Sequence, residues 1–143
     1  MAPNKRVLIV DDDPNMTRLL EHHFAKTDFQ ATSTNDPMRV MTMIQQQDVR
    51  IVLLDIDMPV KNGLELLGEI KAYDPTIAVV MFTGHETLSN LVSAFQGGAE
   101  YIILKPITDF PRLLDLIQKC HDRLRHWYDA IETVRREGGR AKR

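Results

Sequence analysis

Four short apolar runs that do not alternate with polar residues constrain this chain most: Val7-Leu8-Ile9-Val10, Ile51-Val52-Leu53-Leu54, Ile77-Ala78-Val79-Val80-Met81-Phe82 and Tyr101-Ile102-Ile103-Leu104. A strand with one wet face alternates apolar and polar residues. Continuous runs rich in Val and Ile read instead as strands covered on both faces, as inside a parallel sheet flanked by helices. A fifth segment, Gln30-Ala31-Thr32-Ser33-Thr34, is polar enough to lie at a sheet edge.

Stretches with helical spacing lie between the strands. One begins at Pro14, suited to a first helical position, and continues through Met16, Leu19, Leu20 and Phe24. Others run from Pro37 to about Gln46, from Leu64 to about Tyr73, and from Thr87 to about Gln96, the last with Leu88, Leu91, Val92 and Phe95 on its apolar stripe. Alternating β and α elements predict a doubly wound five-stranded parallel α/β layer with right-handed crossovers. The final helix differs: Leu113, Ile117, Cys120, Leu124, Trp127, Ile131 and Val134 follow the 4,3 spacing of a heptad stripe. From Asp109 as N-cap to Glu137 it would be about 40 Å long and outrun the domain, with Gly138-Gly139 expected to stop it. Residues 5–122 are therefore read as one domain and 123–143 as a helical extension with a basic tail. The stripe over 113–134 is a candidate homodimer seam.

A chain of 143 residues, 43 % of them hydrophobic, can bury a single core. Charge is uneven: residues 1–117 carry ten Lys/Arg against sixteen Asp/Glu, and residues 118–143 carry eight against four. The basic end lacks the aromatic interleaving of a nucleic-acid arm and reads as a solvated terminus. A single Cys120 excludes an intramolecular disulfide and fits a reducing, cytoplasmic compartment, the thiol being expected to pack on the seam or to face its twin in a parallel dimer. No apolar run reaches the length of a membrane helix, and no signal-peptide core is present. His22, His23, His121 and His126 lack metal-ligand spacing and are expected at the surface.

In an open parallel sheet, ligands bind beyond the carboxyl ends of the strands. The residues there are Asp11-Asp12-Asp13, Asp55, Thr83-Gly84 and Lys105-Pro106. Converging carboxylates repel one another unless a cation sits between them, and oxygen-only ligands select Mg²⁺. A hydroxyl and an ammonium beside such an ion make a place for a phosphoryl group. Asp55 is then the nucleophile, and its attack on phosphorus needs positioning and charge neutralisation more than a general base. Singly, each residue has a plainer use: Asp13 before Pro14 as a helix cap, Thr83 as a strand-end hydroxyl, Lys105 as a solvated base.

Taken together, Val-Asp-Asp-Asp-Pro, Leu-Asp-Ile-Asp-Met-Pro, Phe-Thr-Gly and Leu-Lys-Pro, in this order over about residues 5–122, resemble the receiver domain of bacterial response regulators. The resemblance implies a flavodoxin-like sheet order 2-1-3-4-5 and Asp55 as phosphoacceptor, with Thr83 and Lys105 assisting. It implies metal ligation by Asp11, Asp12, Asp55 and the backbone carbonyl of Asp57, a cis Lys105-Pro106 bond, and a phosphohistidine donor on a sensor kinase or histidine phosphotransfer protein. An effector downstream of the switch is implied but not specified. Where the family often has an aromatic residue, three positions before the lysine, this chain has Ile102; Tyr101, one position earlier, points to the other face of a strand. Gly84 leaves the site open, and Asp57 and His85 flank the approach of hydrolytic water. Two alternatives share these residue types. A haloacid-dehalogenase-like phosphatase would carry the nucleophile on its first strand and the acidic pair last, the reverse of the order here; a receiver-fold binding module would not be phosphorylated.

Overall fold

The computed structural model describes residues 2–84 and 87–141, the side chains of 139–141 excepted. Five strands, β1 (Arg6–Val10), β2 (Gln30–Thr34), β3 (Ile51–Asp55), β4 (Ala78–Thr83) and β5 (Tyr101–Leu104), form one parallel sheet in the order β2-β1-β3-β4-β5. The polar strand is at an edge, as its composition requires. The other edge is β5, which corrects its reading as a strand covered on both faces: Tyr101 and Leu104 are exposed. Apolar content alone does not distinguish an inner strand from an edge strand that another surface could cover.

Side-chain alternation sorts the core into two layers. Leu8, Val10, Val52, Leu54, Val79 and Met81 face α2 (Val40–Gln47) and α3 (Gly63–Tyr73), meeting Ile44, Leu66, Leu67 and Ile70. Val7, Ile9, Ile51, Leu53, Val80 and Phe82 face α1 (Pro14–Phe24) and α5 (Phe110–Ala141), meeting Leu20, Phe24, Leu113 and Ile117. Both faces of β3 and β4 are thus dry, and their residues are buried throughout.

Helix starts follow the local chemistry. The Asp13 carboxylate accepts from the Asn15 amide with Pro14 in the first turn; Asn62 caps α3 and Thr87 caps α4 (Leu88–Gln96) in the same way. The Arg112 amide donates to Asp109 at 3.0 Å at the start of α5. The segment after Pro37 opens as a 3-10 turn, Pro37–Arg39, before continuing as α2.

Four expectations about the helices are corrected. On α4 only Ala94 is buried, and Leu88, Val92 and Phe95, the last 83 % exposed, point outward rather than into the core. On α5 the helix continues through Gly138 and Gly139 to Ala141; glycine in a helix costs about 1 kcal/mol but does not forbid it. The heptad stripe is also divided. Leu113, Ile117, Cys120 and Leu124 are buried in the chain's own core, so Cys120 does not face a twin and Leu124 is not beyond the domain; only Trp127, Ile131 and Val134 are exposed. His121, expected at the surface, is 3 % exposed and edge-on to Phe29, and His23 stacks on Phe110 with centroids 3.6 Å apart. No described helix is long and apolar enough to cross a membrane.

Candidate functional site

Parallel register brings the strand ends to one edge. Val10 lies opposite Leu54, Asp55 opposite Phe82, and Thr83 opposite Leu104, so the residues at or just after those positions converge. Asp11 and Asp55 are 1 % and 3 % exposed, whereas Asp12 is exposed. Each of the three offers one carboxylate oxygen, and these oxygens lie within 4.8 Å of one another. Asp13 does not join them: its side chain caps α1, and its amide donates to Asp11 Oδ1 at 2.9 Å.

Lys105 closes the cluster. Its ammonium donates to Asp11 Oδ2 at 2.9 Å, lies 3.3 Å from Asp55 Oδ1, and sits 4.7 Å above the centre of the Phe82 ring. The Lys105-Pro106 bond is cis. Thr83 is fully buried at the end of β4, its hydroxyl 3.5 Å from Asp57 Oδ2, the outer limit of a hydrogen bond. Gly84 is not sterically required, since a Cβ there would meet the Lys105 stem at 3.8 Å, an ordinary contact. His85 lies outside the described residues. Ile102 is half-buried against the α3-side core, and Tyr101 is exposed at the sheet edge.

The electrostatics are those of an anionic site short of positive charge. Burial, then the Asp11 charge, push the Asp55 carboxyl up to about 6 despite Lys105. Asp12 is raised by desolvation and by Asp11. Burial disfavours the Lys105 ammonium, but Asp11 and Asp55 outweigh it and hold its pKa above the usual range. A hard divalent cation fits this set: the donors are all oxygen, they lie within reach of one ion, and two carboxyls are held protonation-prone by charge a cation would neutralise.

Sequence reasoning missed several supporting residues. The Asn35 amide donates to the Asp11 carbonyl at 2.8 Å and to Thr17 Oγ1 at 3.1 Å, fixing the β1–α1 turn from the β2 end. Gly63 is in close contact with Asp55: a Cβ there would lie 1.9 Å from the Asp55 carbonyl oxygen. Val60, in the β3–α3 loop, has φ of 71°, a left-handed conformation costly for a β-branched residue. Only Gly63 had a legible signal, a glycine just after Asn62 where α3 begins beside β3.

The family model for the response regulator receiver domain matches residues 7–118. The chain belongs to this family. The receiver domain resembles the regulatory protein AtoC of Escherichia coli K12, 27 % identical over 139 residues, which are 93 % of this chain and 30 % of AtoC. It is 32 % identical over 114 residues to the DNA-binding transcriptional regulator NtrC of the same organism, covering 80 % of this chain and 24 % of NtrC. The chain therefore spans less than a third of these relatives. Among solved structures, a CheY-like receiver domain protein from Methanospirillum hungatei JF-1 superposes with a TM-score of 0.80 at 27 % identity, over 85 % of this chain and 96 % of that one. The beryllofluoride-activated NtrC4 receiver domain dimer gives 0.77 at 26 %, over 84 % and 98 %. The sheet order and the residues matched are those of a two-component receiver, and the phosphatase alternative falls away with them.

Proposed function

We propose that Asp55 accepts a phosphoryl group from a phosphohistidine on a sensor kinase or histidine phosphotransfer protein. Mg²⁺ would be held by Asp11, Asp12, Asp55 and the backbone carbonyl of Asp57, supplying charge neutralisation for the incoming phosphoryl oxygens when bound. An Asp55 carboxylate oxygen attacks phosphorus, the P–N bond to the donor imidazole breaks, and the nitrogen keeps the electron pair. Lys105 pairs with the phosphoryl oxygens, and the Thr83 hydroxyl turns to hydrogen-bond to them. The observation that carries this reading is one ammonium shared by two buried carboxylates, 2.9 Å from Asp11 and 3.3 Å from Asp55, inside a three-carboxylate cluster. Such an arrangement is costly for stability alone.

The protein so read is a signalling component that assists its own phosphorylation and dephosphorylation and has no diffusible substrate to turn over. Residues 5–122 receive the phosphoryl group and 123–143 extend the last helix. The output is a changed surface around α4, β5 and α5 that an effector reads, where Leu88, Phe95 and Leu104 already stand exposed. Without an aromatic residue at Ile102, the Thr83 movement carries the signal. A homodimer through the exposed part of α5 and a cytoplasmic location complete the proposal. Acetyl-phosphate labelling with and without Mg²⁺ tests it. Labelling is expected to require the metal and to vanish in Asp55→Asn, and undiminished labelling of that variant would overturn the assignment.

A further inference from the structure

Phe82, the last residue but one of β4, is completely buried. For packing alone it is a core residue, since it joins Val80, Leu113 and Ile117 in the layer between the sheet and α5. Its register partner is Asp55 on β3, and alternation from Leu53 and Val80 sends both side chains out of the sheet on that same face. Lys105 enters from the end of the other neighbouring strand, where its amide donates to the Thr83 carbonyl at 2.8 Å. The stem passes Gly84, and the ammonium comes to rest 4.7 Å above the centre of the Phe82 ring. The cation thus meets Asp11, Asp55 and an aromatic face. Leucine or methionine could fill similar space at position 82, but only an aromatic ring presents a negative face to a cation.

We propose that Phe82 is a positioning residue for phosphoryl transfer, its ring holding the Lys105 ammonium where the incoming phosphoryl oxygens meet it. The role rests on Asp55 as the phosphoacceptor. Phosphorylation changes both carboxylate contacts of Lys105. The Asp55 oxygen that attacks phosphorus becomes the bridging oxygen of an acyl phosphate, and Asp11 belongs to the carboxylate cluster that calls for a divalent cation. The ring contact is altered by neither event, and it is neutral. A third carboxylate in its place would hold Lys105 more tightly but would cancel the charge that the phosphoryl group needs. The ring orients the ammonium and leaves that charge available. Without it, a partly exposed and flexible four-carbon stem would be held only by the anions from which it must be released.

The test weakens the face of the ring while keeping its fit. In the full chain, phenylalanine analogues at position 82 carrying one, two and then three fluorine atoms withdraw electron density from the face stepwise. The rate of Mg²⁺-dependent labelling by acetyl phosphate should fall with each step, roughly three- to tenfold across the series; a flat series would overturn the proposal. Phe82→Leu should lower the rate by at least as much when Lys105 is present, and the loss should shrink to within about twofold in the slower Lys105→Met background. An equal loss in both backgrounds would reduce Phe82 to core packing. The contact itself is read by NMR in EDTA, with no phosphoryl group present. Ring current should move the Lys105 ε-methylene protons upfield in the native chain and not in Phe82→Leu, and identical shifts in the two would refute the geometry. Undiminished labelling of Asp55→Asn would remove the phosphoacceptor reading and with it the transfer role, while the shifted ε protons remained. A flat fluorine series with Asp55→Asn unlabelled removes the role of the ring alone, so the two failures are distinct.

Discussion

Replacing Lys105 by Met keeps the unbranched stem and removes the ammonium that Asp11 and Asp55 share. Asp55 titrates at about 6 instead of 3.8, so holding it ionised at pH 7 already costs ~3 kcal/mol at 1.36 kcal/mol per pH unit. Both influences that lower the Asp55 pKa come from Lys105, so without it the pKa rises further and the folded protein takes up a proton. Protonation caps the cost at about 4.4 kcal/mol, an added loss of ~1.4. Asp11 loses a charge-assisted hydrogen bond of 2.9 Å, worth about 1.5–3 kcal/mol. The sum is about 3–4 kcal/mol. With a urea slope of ~2 kcal/mol per molar, the unfolding midpoint in EDTA at pH 7 falls by about 1.5–2 M. A folded pKa above the unfolded one favours the folded state at low pH, and that benefit is lost as pH rises through the folded value. The Asp55 share of the loss therefore disappears by about pH 5, where both folded proteins hold the proton, leaving the Asp11 share. A midpoint at pH 7 displaced by less than about 0.5 M would refute the view that Lys105 neutralises two buried carboxylates.

Gly63→Ala forces a methyl group to within 1.9 Å of the Asp55 carbonyl oxygen; denaturation should show a loss of roughly 3 kcal/mol, the upper range for overpacking, and acetyl-phosphate labelling of Asp55 should slow. Val60→Gly relieves a left-handed β-branched residue that is 88 % exposed and has little packing to lose. After the entropy of an added glycine is subtracted, calorimetry should show a gain of about 0.5–1 kcal/mol. His121 is buried with Nδ1 unpartnered, and burial, with Lys5 and Arg125 against Asp122 and Asp28, holds its pKa below the usual histidine value. Its contribution is intact above about pH 6.5 and is lost as pH falls below that, because the unfolded chain takes the proton first. Urea unfolding of His121→Phe beside the native chain should show the variant's relative stability rising as pH drops from 7 to 5.

Much of the site was legible because it is local: Asp11, Asp12, Asp55, Thr83 and Lys105 each sit at or just past the end of an apolar run, and parallel pairing in register brings such ends together. Asn35 and the Phe82 ring under Lys105 were not, since each acts by contacting a residue distant in the chain or across the sheet. The α4 stripe misled for the same kind of reason. Helical periodicity reports that Leu88, Val92 and Phe95 share a side, but not whether this chain or another covers it.

What the sequence determined by itself is the set of elements and the side of the sheet where the chemistry gathers, because strand hydrophobicity, caps and turn residues act over a few neighbours. Only the tertiary structure decided how the last helix is divided. Seven residues on one uninterrupted stripe are equivalent in sequence. The sheet is finite, however: it covers Leu113 to Leu124 and ends, leaving Trp127, Ile131 and Val134 to water or to a partner.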